Sequence, residues 1–180
     1  MRRVSIAYRV GVTLPVGATV ENPFRLGREG MSHQHIQFGT GTFDPFAEVE
    51  LRADVGRFQI APWALGRASL YRNSHDYRAG AVVMGGVRAS SDLWTTKLRF
   101  MLGALGYHEE PERWSGVVET EGNLGRTDVM IESSITWRLP RDWSLFAVVR
   151  VPVWSQIVGA QLATPAIGEI GVAYAIATRR

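Results

Sequence analysis

Charged side chains recur at every second residue along several apolar segments of this 180-residue sequence. The clearest run is Glu48, Glu50, Arg52 and Asp54, which alternates with alanine, valine and leucine. In a β-strand this period places the charges on one face and the apolar residues on the other. Because a packed core would not tolerate four successive charges, we expect the charged face to meet water or to line a polar lumen.

Extending the same alternation along the chain predicts a set of lumen-lining charges of both signs. This set comprises Arg9, Glu48, Glu50, Arg52, Asp54, Arg67, Arg88, Lys97, Arg99, Asp128, Glu132, Arg138, Arg150 and Glu169. Mixed signs favour cross-strand ion pairs over a pure cation or anion filter. Two interpretations stay open, namely a network of pairs that fills the lumen and a polar path for a solute.

The sequence gives only weak indications of metal binding or of catalysis. His33 and His35 offer two imidazoles to a metal, with Asp44 nearby in sequence, but no further ligand has a set spacing, which favours solvated loop histidines. No Gly-x-Ser-x-Gly motif occurs, and Ser133 and Ser134 have no histidine at a motif spacing. We therefore expect no metal, no cofactor and no enzymatic activity.

Eight alternating segments are predicted to position these charges as antiparallel strands. The first has an entirely apolar face, and its roughly eleven residues match a tilted strand that crosses a bilayer. The predicted strands are Val4–Pro15, Phe46–Val55, Phe58–Leu70, Ala81–Ser90, Leu93–Gly106, Asp128–Leu139, Trp143–Val153 and Ala166–Ile176. The fold class is therefore an all-β, antiparallel, up-and-down transmembrane β-barrel formed by one domain over residues 1–180.

Short turns alternate with long polar loops along the chain, as they do in outer-membrane barrels. The predicted turns are Gly56–Arg57, Ser91–Asp92 and Pro140–Asp142. Aromatic residues flank both kinds of connection and predict two girdles at the membrane interfaces. Trp94, Trp137 and Trp143 lie next to short turns, whereas Tyr71, Tyr107 and Trp154 lie beside long loops.

Composition excludes several classes of protein. No uninterrupted run of eighteen apolar residues is present, so no transmembrane helix is predicted. The net charge of +3 is small and the basic residues are dispersed, which gives no basis for nucleic-acid binding. The sequence contains no cysteine and therefore no disulfide. Because Met1, Arg2 and Arg3 run directly into the first strand with no signal peptide, we expect an N-terminally truncated piece of a longer exported chain.

Several short motifs together resemble bacterial outer-membrane barrels of the phenol meta-pathway transporter type. The similar segments are Gly11-Val12-Thr13-Leu14-Pro15-Val16-Gly17, Gly39-Thr40-Gly41-Thr42-Phe43-Asp44-Pro45, Val151-Pro152-Val153, Gly159-Ala160-Gln161-Leu162 and Gly171-Val172-Ala173-Tyr174. The resemblance implies the C-terminal portion of a roughly twelve-stranded barrel in a Gram-negative outer membrane. It also implies a porin-like channel or uptake protein for small, often hydrophobic or aromatic molecules.

The expected partners are membrane lipid, the barrel assembly machinery and a small-molecule solute, with no nucleic acid. Residues 177–180 lack the terminal aromatic that is typical of barrel assembly signals. Two other functions stay open. A soluble ligand-binding barrel predicts the charged face outside and an apolar cavity inside, whereas a barrel enzyme that acts on envelope lipid predicts a serine or histidine cluster at one rim.

Overall fold

The chain forms one antiparallel sheet of eight strands that curls into a half-barrel. The computed structural model describes residues 4–33, 39–93, 97–159 and 163–175. The sheet strands are β1 (Val4–Thr13), β2 (Asp44–Val55), β3 (Phe58–Arg67), β5 (Val82–Leu93), β6 (Leu98–Glu109), β8 (Asn123–Arg138), β9 (Trp143–Gly159) and β10 (Ile167–Tyr174). The predicted all-β, antiparallel architecture with eight strands is thus confirmed.

Every strand of the sheet pairs with its neighbour in sequence, which gives the predicted up-and-down topology. Within the described residues, β1 pairs with β2 alone and β10 pairs with β9 alone. Within the part of the chain that the structure describes, the sheet therefore has two open edges and forms a half-barrel rather than a closed barrel. The sheet curves only partway round a cylinder, so its first and last strands, β1 and β10, do not pair with each other.

The two faces of this single layer differ sharply in burial. Apolar side chains on the convex face are exposed, as for Ile6 and Ile170. Side chains on the concave face are crowded together by the curvature, and Trp63, Leu105 and Met130 form a buried cluster there. Leu65, Met84 and Tyr107 pack against this cluster. The core of the molecule is thus the concave face itself rather than a space between two layers.

Tight turns connect the strands at one end of the half-barrel. Gly56 adopts a φ of +62°, the left-handed conformation that glycine tolerates, and Val55 pairs with Phe58 across the predicted Gly56–Arg57 turn. The predicted turn at Ser91–Asp92 is wrong, because β5 continues to Leu93, which pairs with Leu98. Ladder pairing overrides the local turn preference of serine and aspartate at that position.

Long connections lie at the opposite end and contain small elements of their own. These are the helix α1 (Pro23–Arg28) and the paired strands β4 (Tyr77–Arg78) and β7 (Arg113–Trp114), which we call the loop layer. Asn22 begins α1, since its side-chain oxygen accepts hydrogen bonds from two backbone N–H groups. Phe24, Tyr77 and Trp114 form the buried core of the loop layer.

Candidate functional site on the concave face

The predicted lumen residues of the strands face the concave side of the sheet. The register shows this alignment, since Arg88 lies opposite Gly103 and Glu132 lies opposite both Gly103 and Arg150. Glu132 is 1% exposed, although the strands of the described residues form a single layer here. Burial of this carboxylate therefore comes from curvature and from its neighbours.

Arg88 is the centre of a network of ion pairs across the concave face. Its Nε donates to Glu132 Oε1 over 2.8 Å, and its Nη1 lies 3.4 Å from Glu50 Oε2 and 4.0 Å from Glu48 Oε1. These carboxylates belong to β2 and β8, each of which is two strands away from β5 in the sheet. One guanidinium therefore links strands that do not pair with each other.

Stacking on an aromatic ring further fixes the position of Arg88. Its Cζ atom lies 3.9 Å from the centroid of the Trp63 ring, well within the range of a cation–π contact. Glycine leaves the space that this arrangement needs. A Cβ atom at Gly103 would lie 3.2 Å from Arg88 Cγ and 2.9 Å from the carbonyl oxygen of Val87, so a larger residue would displace the arginine.

Glu132 extends the network towards β10. Its Oε2 accepts a hydrogen bond from Arg150 Nε over 2.6 Å, while Arg150 Nη1 lies 3.6 Å from Glu169 Oε2. Both oxygens of Glu132 are therefore bound by guanidinium groups, one from each side. Two charge-assisted hydrogen bonds therefore fix the position of this buried carboxylate.

The network reaches the other edge of the sheet through β2. Arg9 Nη1 lies 3.0 Å from Glu48 Oε2, and Arg52 pairs with Glu50 on the same strand. The side chain of Arg9 is 67% exposed and that of Glu169 is 51% exposed. The charges are thus most solvated at the two edge strands and most buried in the middle of the sheet.

A second group of charges lies near the short turns. Asp92 accepts hydrogen bonds from Arg138 over 3.1 Å and 3.3 Å and lies 3.5 Å from Arg99 Nε. Asp54 accepts from Gln59 over 3.2 Å. Asp92 was missed by the sequence analysis because it was assigned to a turn, although the period-2 alternation through β5 already places it on the charged face.

The remaining predicted lumen residues lie towards the two ends of the strands. Asp128 is buried and is held by Arg126 through two hydrogen bonds of 2.8 Å and 3.1 Å. Arg67 ends β3 at the loop end. The strand position predicted for Lys97 is wrong, since it lies in the turn before β6, where its carbonyl accepts from the Arg138 N–H. The strand starts only at Leu98, where pairing with Trp137 begins.

Aromatic residues at the two ends of the convex face agree in part with the predicted girdles. Trp137, Trp143 and Trp154 are all about half exposed on this face. Trp143 lies opposite Tyr174, with 4.9 Å between the ring centroids, which adds an aromatic residue that the sequence analysis did not include. Trp94 lies outside the described residues.

Two tyrosines complete the predicted girdle set. Tyr71 is exposed at the loop end, and its hydroxyl accepts a hydrogen bond from the backbone N–H of Phe43 over 2.9 Å. Tyr107 instead lies on the concave face, where its hydroxyl donates to Glu109 over 2.8 Å. Tyr107 is therefore not part of an outward-facing girdle, because its position in β6 has the phase of the charged face.

Hydroxyl groups surround a buried carboxylate at the start of β2. Asp44 Oδ1 accepts hydrogen bonds from Thr42 Oγ1 over 2.5 Å and from Ser69 Oγ over 2.6 Å. The hydroxyl of Ser69 thus donates to an aspartate. The imidazole of His108 is hydrogen-bonded to a different residue, through the Thr127 hydroxyl, over 2.9 Å. His35 lies outside the described residues. Among the residues that the structure describes, no group of three or more histidine, cysteine or acidic side chains is arranged to hold a metal ion.

The loop layer is attached to the strand ends through Glu112. Its Oε1 accepts from the Trp114 indole over 3.3 Å and from the backbone N–H of Asn123 over 3.2 Å. Burial raises the pKa of Glu112 above its ordinary value, and the hydrogen bonds partly oppose this shift. Burial also raises the pKa of Tyr77, and the nearby negative charge of Glu112 adds to that effect.

The described part of the chain contains no helix that is long and apolar enough to cross a membrane. Comparison with known proteins gave no match to a family model, to a curated protein or to a solved structure. The arrangement of the two faces of the sheet is therefore the main evidence about function.

Proposed function

We propose that this chain forms part of the wall of an outer-membrane β-barrel that lets small molecules cross the envelope passively. The observation that carries the proposal is the polarity of the curved sheet, with exposed apolar residues on its convex face and paired charges on its concave face. Outer-membrane barrels have this arrangement, because lipid contacts the outside and water contacts the inside.

The convex face supports a lipid environment along its whole width. Its exposed apolar residues come from every part of the sheet and include Val4, Ile6, Tyr8, Val10, Val49, Leu51, Val83, Val87, Phe100, Leu102, Val129, Ile131, Leu145, Val149, Val151, Ile170 and Val172. A continuous apolar surface of this kind marks contact with a membrane or with another protein. The soluble-barrel alternative needs the opposite polarity, with its charges outside.

Aromatic side chains at both ends of the convex face support the same function. Trp137, Trp143 and Tyr174 lie at the turn end, and Trp154 lies towards the loop end. Amphipathic rings at two levels suit the two interfaces of a bilayer. The short turns would then face the periplasm and the loop layer would face the outside, as in other outer-membrane barrels.

The two open edges of the sheet imply that additional strands complete the barrel of this proposal. Unpaired backbone groups are not tolerated in the hydrocarbon region, so β1 and β10 need further strands as partners. The resemblance to the phenol meta-pathway transporter type gives a total of roughly twelve strands, and it gives small hydrophobic or aromatic molecules as the solutes. Membrane lipid and the barrel assembly machinery are the other partners of this proposal.

Reconstitution tests the proposal. The complete barrel of which this chain forms part of the wall is refolded from denaturant into lipid vesicles that contain a trapped fluorescent reporter, and permeation is followed for small uncharged solutes, including phenol-sized aromatics. We expect strand-rich, protease-resistant protein in the vesicles and faster solute entry than in protein-free vesicles. A chain that stays in the aqueous phase as a folded monomer and leaves the vesicles sealed would overturn the proposal.

A further inference from the structure

We propose that Arg88 keeps the central belt of ion pairs on the concave wall electrically neutral, so that the channel favours small molecules without net charge over ions of either sign. This inference rests on the proposed function, because charge discrimination has a meaning only if the concave face lines a path. It goes further by naming the residue on which the selectivity depends.

The network of ion pairs contains equal numbers of positive and negative charges. The described members that are joined in one series of ion pairs are four arginines (Arg9, Arg52, Arg88, Arg150) and four glutamates (Glu48, Glu50, Glu132, Glu169). Equal numbers of opposite charges give this belt no net charge. A wall of this kind does not concentrate either cations or anions.

Because of its position, Arg88 is the most important positive charge in the neutrality of this belt. It is within 4.0 Å of three glutamates, whereas Arg9, Arg52 and Arg150 stand at the outer sides of those same carboxylates. Loss of Arg88 would leave the centre of the wall with three carboxylates and no shared cation. The acidic excess would lie in the middle of the sheet.

The excess negative charge would act strongly on a passing ion, because these carboxylates have little contact with solvent. The side chains of Glu132, Glu48 and Glu50 are 1%, 7% and 12% exposed, so water and salt screen them less than surface charges. The charges at the network edges are better solvated, and their loss should matter less. The structure therefore ranks Arg88 and Glu132 above Arg9 and Glu169 as determinants of selectivity.

Single-channel recording in a salt gradient tests this ranking, with the complete barrel that contains this chain refolded in planar bilayers. We expect a cation-over-anion permeability ratio near one for the wild type. Arg88→Gln should raise this ratio roughly twofold or more, and Glu132→Gln should lower it by a similar factor. The double variant Arg88→Gln with Glu132→Gln removes one charge of each sign and should return the ratio close to one.

Three further variants keep the test decisive. Arg88→Lys retains the charge and should retain the wild-type ratio, while Arg141→Gln alters an exposed turn residue outside the network and serves as the matched control. If the two buried variants do not refold, Glu169→Gln, at a half-exposed site, should still shift the ratio towards anions.

The outcomes separate this inference from the proposed function. An absence of conductance in every preparation would overturn both. Conductance with a strongly ion-selective wild type, or with a ratio that Arg88→Gln leaves unchanged, would overturn the role of Arg88 and leave the channel function intact.

Discussion

Ile131 and Glu132 are neighbours in β8, yet they lie in opposite environments. Ile131 is on the convex face and is 41% exposed, whereas Glu132 is on the concave face and is 1% exposed. In a water-soluble protein the burial of these two residue types is normally the reverse. The comparison shows that one curved sheet can bury charges on its concave face and expose apolar residues on its convex face.

The two faces also differ in how they are stabilised. Concave side chains are held by named ion pairs, by the stacking of Arg88 on Trp63 and by the Trp63–Leu105–Met130 cluster. Large apolar side chains on the convex face are exposed, so their burial stabilises the protein only if an apolar environment covers them. Substitutions on the concave face should therefore act in any solvent, whereas those on the convex face should act only in lipid.

The largest effect is expected from Glu132→Ala. This change leaves Arg88 and Arg150 facing each other without the carboxylate that binds both. Loss of one partner from a buried ion pair costs about 3–5 kcal/mol of unfolding free energy. Urea unfolding of the refolded protein measures this loss, and a cost below that of an ordinary surface substitution would mean that the network is not formed.

A change at the adjacent residue tests the other face. Ile131→Arg should cost about 2–4 kcal/mol in a bilayer, the penalty for a charge on the lipid side of a barrel near the midplane. Val117→Arg is the matched control, because Val117 is an exposed valine in the long loop after β7 and should tolerate arginine. Equal tolerance at both sites, measured by unfolding in vesicles, would place Ile131 in water.

Two glycines provide a smaller comparison of the same kind. Gly103→Ala would place a Cβ atom against Arg88 and the Val87 carbonyl and should cost about 1–3 kcal/mol through overpacking. Gly66→Ala meets no atom within 4 Å on the convex side and should change stability by less than about 0.5 kcal/mol. Urea unfolding of the two variants side by side gives the difference, and equal costs would contradict the crowding of the concave face.

The smallest effect concerns the loop layer, which is attached through Glu112. Because the folded-state pKa of Glu112 is raised, its contribution to stability is fully present below the ordinary value of 4.5 and is lost as the pH rises above it. Hydrogen exchange of the Trp114 amide, which donates to the Val117 carbonyl, should accelerate beyond its intrinsic pH trend in that range. Glu112→Gln should remove the extra dependence, and an unchanged profile in this variant would exclude Glu112 as its source.

Period-2 alternation was sufficient to predict the sheet and the face of most charged residues. The phase of each strand is a local property, so Glu48, Arg88 and Glu132 could be assigned to one face from the sequence alone. Their contacts could not be predicted. The link from Arg88 to Glu132 crosses β6 and depends on curvature and on the small size of Gly103, both of which are consequences of the whole sheet.

Errors in the sequence analysis arose where local residue preference opposed pairing. Ser91 and Asp92 have the composition of a turn, yet they continue β5 because Arg99 and Phe100 on β6 pair with them. Tyr107 was assigned to a girdle from its proximity to a loop, although the alternation of β6 gives it the phase of the concave face. The loop layer has no periodic signal, since Phe24, Tyr77 and Trp114 come from three separate connections.

The most direct test of the account is the environment of two positions on opposite faces of one strand, β8, in a membrane. Because the sequence contains no cysteine, single cysteines at Ile131 and Ser134 can each carry one spin label without background labelling. In vesicles, we predict that the label at 131 collides mainly with lipid-soluble oxygen and that the label at 134 collides mainly with a water-soluble nickel complex. Equal access of the nickel complex to both labels, or the reverse preference, would contradict a lipid-facing convex surface.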